Sequence, residues 1–595
     1  MNYHDFYTGH VFDAYRHLGC RYTPEETTFT VFAPAASRVC LTGQCNDWAE
    51  TDLHRIHNGQ FWQLTLPGIP EGMLYKYRIY HGDSYTDHCD PYGFGMELRP
   101  AFASIVRDLD RFTFRDGGWM NSRTDCKDRP LSIYEVHLGS WKRSNQEPGF
   151  LNYREIARAL VPHLKRYHYT HVEVMPLAEH PSDNSWGYQC TGFFSPTARF
   201  GTLDDLKYFV DHLHRNGIGV IMDFVPVHFA SDSYGLLNFD GTPLYEYPNN
   251  DISYSEWGSP NFNHSRCEIQ SFLQSCAYYW LKEYHFDGLR MDAISNIIYW
   301  QGSQQRGINT NATEWLRNMN RTLKEVFPSV MLIAEDSSSL AGVTAPVDQG
   351  GLGFDYKWDM GWMNDTLNFF RTDPPYRPQE YHKLTFSMMY YYNENYLLPL
   401  SHDEVVHGKA TIIQKMAGGY EQKFPQVRAL YLYMMTHPGK KLNFMGNEIA
   451  MFREWDEKRE PDWDLLRYPL HDAFSHYIKE LNALYLAHPA LYANDYDRNG
   501  FFWNDCNEEG RVLYAFERQG NAERILTVLN LSDRPADAFA VPVTNASGLQ
   551  ILLDSDDPQW GGTGTYDPAR CPSVSNGTAT LSSAAFSAQM YLVRD

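Results

Sequence analysis

The chain has 595 residues, 43% hydrophobic and 21% charged, which excludes a disordered or fibrous polypeptide and provides core for about three or four domains. A formal net charge of −22 excludes the basic surface that nucleic acid or an anionic membrane requires.

The N-terminus, MNYHDFYTGHVFDAYRHL, has no apolar signal region, and no apolar run of about 18 residues follows it. The ten cysteines are scattered, without a CxxC pair or zinc-type clustering with His. A cytoplasmic protein with reduced thiols is the expectation.

From about residue 28 to 106 the chain reads as short alternating runs broken by turns: FTVFAP, RVCLTG, FWQLTLPG and LYKYRIY. That pattern predicts an N-terminal β-sandwich, here bounded as 1–112. From Leu131 the texture changes to strand followed by amphipathic helix. Candidate strands fall at 133–138, 171–176, 219–225, 288–293, 330–335, 354–360, 396–401 and 441–445. The intervening helices show a 3.6-residue period, as at Leu206, Phe209, Val210 and Leu213, and at Ile269, Phe272, Leu273, Cys276 and Trp280.

Eight such units predict an α/β fold, a (β/α)8 TIM barrel over 113–492, whose active site lies at the carboxyl ends of the strands. A long Tyr-, Asn- and Asp-rich loop at 229–266 suits that rim. After a helix around 474–486, the runs RVLYAFERQG, RILTVLNL, GLQILLD and AQMYLVRD predict a second β-sandwich at 493–595.

Four segments end an apolar run abruptly in charged or His residues: VIMDFVPVH (220–228), GLRMD (288–292), VMLIAED (330–336) and LLPLSHDE (397–404). They supply Asp292, Glu335 and Asp403, with Arg290, His228 and His402 close by in sequence. Breaking a glycosidic bond with retention needs a carboxylate nucleophile and a second carboxyl group that protonates the leaving oxygen. Arg290 and Asp292, two apart on a strand, point the same way, so the guanidinium is expected to hold Asp292 ionised. Glu335 follows an apolar run whose desolvation is expected to raise it toward a proton donor. Any one of these carboxylates alone suits a helix cap or a buried ion pair; four strand ends together do not.

Other chemistries fit worse. HDEVVH spaces its His residues five apart instead of the four of HExxH, GIGVIM lacks a dinucleotide fingerprint, and no GxSxG or GxxxxGK[ST] occurs.

The four segments closely resemble the signature regions of the α-amylase superfamily, glycoside hydrolase family thirteen. The resemblance implies that Asp292 is the nucleophile, Glu335 the acid/base and Asp403 the transition-state stabiliser. It places Tyr188 of WGYQ, Asp223, His228, Arg290 and His402 at substrate-binding positions. YEVHLGSW (134–141), WGYQCTGFFSPTARFGT (186–202), GGLGFDYKWDMGWMNDTL (350–367), LPLSHDEVVHGK (398–409), GKKLNFMGNE (439–448) and REWDE (453–457) resemble the 1,4-α-glucan branching enzymes of that superfamily. FTVFAPAASRVCLTGQCNDW resembles the carbohydrate-binding module preceding such barrels; the sequence does not show which aromatics bind sugar, and for Trp48 and Trp62 core packing is the commoner role beside a sugar contact. Asp336 departs from the resemblance, standing where many members carry Glu, and the segment after Trp300 is short.

The implied activity is a hexosyltransferase acting on α-1,4-glucan (glycogen, amylose or amylopectin) as a monomer, with no cofactor, no metal, no nucleic acid and no membrane. A hydrolase of the same fold, of the amylase or debranching type, stays open on the residues alone, since no acceptor site is visible in them. A non-catalytic glucan-binding scaffold fits poorly, because all three carboxylates persist.

Overall fold

The computed structural model describes the chain except residues 507, 565–571 and 595. Eight parallel strands close into a barrel in chain order. They are β1 Ser132–Val136, β2 His171–Val174, β3 Gly219–Phe224, β4 Gly288–Met291, β5 Met331–Ala334, β6 Tyr356–Trp358, β7 Tyr396–Leu400 and β8 Lys440–Phe444. Every residue in them is buried, which is why they read as near-continuous apolar runs. Each predicted strand is present but ends one or two residues earlier than expected.

Contacts group the chain into two units, Met1–Thr124 with His137–Leu160 and Glu173–Asp355, and Asp125–Val136 with Val161–Val172 and Tyr356–Asp595. In the first, the N-terminal module has one sheet of Gly19–Tyr22, Glu26–Phe32, Phe61–Pro67 and His54–Ile56. A second sheet holds Thr51–Asp52, Arg38–Gly43, Leu74–His81 and Ser84–His88, with Ser104–Ile105 on Leu74–His81. Phe29, Val39, Leu41, Phe61, Tyr75 and Tyr77 fill its core. The module is fixed to the barrel wall by Tyr15, whose hydroxyl donates to Glu283 Oε1 at 2.6 Å, and by Asp240 Oδ2, which accepts from the Ala35 amide at 2.8 Å.

The helix Leu203–Arg215 starts at a capping box in which Thr202 and Asp205 satisfy each other's amides. Its predicted stripe of Leu206, Phe209, Val210 and Leu213 is fully buried. So is the stripe of the helix Cys267–Glu283, which begins where the long third loop ends.

The second unit carries the C-terminal sandwich. Phe501–Asp505, Leu513–Gly520, Glu523–Asn530, Ser587–Arg594 and Gly548–Asp554 form one sheet, and Ala536–Pro542, Thr578–Ser583 and Val574–Ser575 the other. Buried arginines tie it to barrel helices: Arg428, in Tyr420–Thr436, donates to the carbonyls of Ser555 and Trp560 at 2.7 and 3.0 Å. Among the described residues, no helix is long and apolar enough to cross a membrane.

Candidate active site

In the first unit, Asp223 on β3 is the register partner of Arg290 on β4. Arg290 is fully buried and serves three carboxylates. Its Nη1 donates to Asp223 Oδ1 and Oδ2 at 2.6 and 2.7 Å and to Asp292 Oδ1 at 2.9 Å, and Nη2 donates to Glu335 Oε2 at 2.7 Å. Burial opposes the guanidinium charge, but the surrounding carboxylates outweigh it and hold Arg290 cationic.

Close strand packing brings these ends together. A Cβ on Gly288 would meet Met331 O at 2.5 Å, so only glycine lets β4 lie against β5 there. Past Asp292 the backbone turns through Ala293 at φ 48°, a left-handed conformation that aims its amide at Glu335 Oε2, 3.0 Å away. The Asp292 amide in turn donates to Phe224 O at 3.0 Å.

Tyr188 joins the same cluster, its hydroxyl donating to Asp223 Oδ2 at 2.5 Å while Arg290 lies 5.9 Å from its ring centre. Its loop turns tightly at Gly187 (φ 94°), where a Cβ would meet Pro176 O at 2.5 Å. Arg199 Nη1 braces that loop by donating to Glu179 Oε1 and the His180 carbonyl at 2.8 and 2.9 Å.

Arg290 reaches Asp292 as the sequence spacing suggests, but it is not the largest influence on that carboxyl group. Burial pushes the Asp292 carboxyl well above the usual carboxylate range; Arg290 opposes this, while negative charge on Glu335 and Asp223 adds to it. Arg290 therefore favours the ionised form of Asp292 against burial and two neighbouring carboxylates. One cation thus serves three carboxylates.

His228 lies just past β3 and is buried, its ring 5.4 Å from that of Trp257 in the third loop. Burial lowers it to about 4, so it is neutral at pH 7, and its buried Nδ1 has no hydrogen-bond partner.

In the second unit, His402 and Asp403 open the turn His402–Val405 directly after β7. His402 is buried, and its Nε2 lies 3.5 Å from Oδ1 of Asp403, whose side chain is 42% exposed. Glu135 on β1, which sequence reasoning missed, accepts from His402 at both carboxylate oxygens. Its signal was a carboxylate inside the otherwise apolar strand SIYEV. Asp336 is buried and accepts from the Ser338 amide and hydroxyl, both at 2.9 Å.

The candidate sugar contacts divide. Trp48 is 43% exposed with Lys76 Nζ 5.5 Å from its ring. Trp62 is buried, donates to Ala33 O and is covered by Arg55, so it packs the module and offers no sugar face.

This chain is similar to curated proteins over nearly its whole length. It is 44% identical to the 1,4-alpha-glucan branching enzyme GlgB of Fusobacterium nucleatum, covering 95% of this chain and 93% of that one. It is 43% identical to the enzyme of the same name from Bacillus caldolyticus, covering 96% and 87%. The chain belongs to the 1,4-α-glucan branching enzymes. Family models agree with the branching-enzyme assignment domain by domain. Carbohydrate-binding module 48 (isoamylase N-terminal domain) matches residues 17–93, the alpha amylase catalytic domain 158–237 and 252–515, and the alpha amylase C-terminal all-beta domain 503–594. The fold is also that of a putative alpha amylase from Salmonella typhimurium, with TM-score 0.75 at 18% identity over 97% of this chain and 99% of that one.

Proposed function

We propose that this branching enzyme cleaves an α-1,4-glucan chain through a covalent glucosyl-enzyme intermediate on Asp292 and transfers it to a C6 hydroxyl, forming an α-1,6 branch. The observation that carries the mechanism is the Asp292–Glu335 pair on one guanidinium, in a chain of this family. The reaction needs the sugar seated between the two carboxyl groups, with Asp292 as the carboxylate and Glu335 as the acid. Asp292 then bonds to the anomeric carbon as the C1–O4 bond breaks, and Glu335 gives its proton to the departing oxygen. In the second half, Glu335 takes the proton of an acceptor C6 hydroxyl. That oxygen bonds to the anomeric carbon as the ester to Asp292 breaks, so two inversions give net retention.

Asp403 is assigned to stabilising the oxocarbenium-like transition state, and Tyr188, Asp223, His228, Arg290 and His402 to holding the sugar and the carboxylates. Transfer exceeds hydrolysis when the acceptor is held close and water is kept from the ester. We assign the N-terminal sandwich to 1–112 as a glucan-binding module, the catalytic barrel to 113–492 and the C-terminal sandwich to 493–595. The enzyme is assigned to the cytoplasm, acting as a monomer on glycogen-type glucan, with no nucleic-acid or membrane partner.

The test is incubation with amylose. Branching lowers iodine colour without a matching rise in reducing ends, and proton NMR of the product gains α-1,6 anomeric signal. A rise in reducing ends that tracks the colour loss would establish a hydrolase instead.

A further inference from the structure

We propose that Glu135 is the positioning residue for His402, fixing which ring nitrogen carries the proton and where the other nitrogen points. Glu135 is fully buried on β1, where successive side chains alternate faces. Its neighbour Tyr134 turns the other way and donates to Glu448 Oε1 at 2.7 Å. The two oxygens of Glu135 have different tasks on one residue 267 positions away. Oε1 lies 2.5 Å from His402 Nδ1, and Oε2 accepts the His402 backbone amide at 2.9 Å.

An ionised carboxylate only accepts hydrogen bonds, so the Nδ1 contact requires the proton on Nδ1. The amide contact holds the backbone at the end of β7, and the ring contact holds the imidazole plane. Together they leave Nε2 facing Asp403 Oδ1 at 3.5 Å. Which nitrogen of a histidine does chemistry is set by the partner of the other one.

The arrangement is also a poor stability device. Burying a carboxylate carries a desolvation penalty of several kcal/mol, and an apolar side chain at such a site is often neutral or better for folding. A buried carboxylate with both oxygens engaged on one rim histidine is accounted for by the orientation it imposes. The inference rests on the functional reading above, in which His402 and Asp403 face the sugar.

The test is a double-mutant cycle on the full chain, with branching of amylose measured alongside thermal melting. Glu135→Gln keeps the shape, but its single carbonyl oxygen can accept only one of the two hydrogens. The expected result is a kcat lowered about 10–100-fold, with KM changed less than about 3-fold. Adding Glu135→Gln to His402→Asn should lower kcat no further than His402→Asn alone, because the carboxylate acts through the ring. Glu135→Asp, which retains the charge but withdraws it, should fall between Glu135→Gln and wild type. It replaces Glu135→Gln in the cycle should the latter fail to fold.

Wild-type turnover in a folded Glu135→Gln protein, or penalties that multiply in the double mutant, would overturn the proposal. Were the wild type to hydrolyse amylose without branching it, the functional reading would fail, while the same cycle read on reducing ends would still decide the role of Glu135.

Discussion

One nitrogen of Arg290, Nη1, reaches both carboxylate oxygens of Asp223, at 2.6 and 2.7 Å. The guanidinium is thus committed first to Asp223, and Asp292 and Glu335 share what remains. A lysine has the charge, but its three N–H donors sit on one nitrogen and cannot reproduce donation from Nη1 to Asp223 and Asp292 and from Nη2 to Glu335. Arg290→Lys should lower kcat for branching at least about 100-fold while leaving a folded protein. Arg290→Leu removes the only cation from the cluster, and loss of one partner of a buried ion pair costs about 3–5 kcal/mol. Its melting temperature should fall well below that of Arg290→Lys; equal melting temperatures would contradict the shared-cation account.

Asp292 should show activity and stability moving in opposite directions. A carboxyl group whose folded pKa is raised above its unfolded value loses stability as pH climbs from the unfolded value toward the folded one. The buried Asp292 carboxyl, beside Glu335 and Asp223, therefore costs stability at pH 7. Asp292→Asn removes that charge and should raise the melting temperature by about 1–3 °C while lowering branching at least about 1,000-fold. Glycogen binding, measured by affinity electrophoresis, should persist. A destabilised Asp292→Asn protein would show that Asp292 is ionised and well paired.

The barrel was legible because its strands are buried on both faces, so each reads as an apolar run with an abrupt polar end. Asp292, Glu335 and Asp403 stood out for the same reason, as charged residues that end apolar runs, whereas Asp223 inside VIMDF was marked only by the family resemblance. Glu135 was not legible, since its partner lies 267 residues away and a single Glu on an apolar strand has no local pattern. The surroundings of Asp292 were hidden by the same distance. Sequence shows Arg290 two residues from Asp292, but not that Asp223 and Glu335 converge on the same guanidinium. Trp62 was ambiguous because Trp packs a sandwich and binds sugar equally well by composition; only the cover of Arg55 decides it.

Trp48 offers an exposed indole beside Lys76 on the N-terminal module. Aromatic stacking of this kind contributes about 0.5–1.5 kcal/mol. Trp48→Ala should therefore weaken glycogen binding about 2–10-fold, while turnover at saturating amylose stays within about 2-fold of wild type. Trp62→Ala should act differently, lowering the melting temperature through lost packing.

Below the strands, His214 bridges two carboxylates, with Nδ1 2.8 Å from Asp116 Oδ2 and Nε2 2.8 Å from Asp287 Oδ2. His285 Nδ1 faces the same Asp116 oxygen at 2.9 Å, and Arg123 and the Trp119 indole face Asp287. Asp287 also accepts the Val220 amide at the start of β3, so the cluster fixes the segment before the barrel to its first-unit strands. Burial opposes the His214 charge, but Asp287 and Asp116 outweigh it and raise the imidazolium to about 9. A histidine raised from 6.5 to about 9 contributes its full stability below pH 6.5 and loses it as pH rises through 9. The contribution is on the order of 3 kcal/mol. Urea melts of the wild type should therefore show stability declining between pH 6.5 and 9. His214→Gln donates to one carboxylate at most, so it should be less stable at pH 6 and show a flatter profile across that window. Equal slopes in the two proteins would mean that His214 is neutral and does not carry the titration.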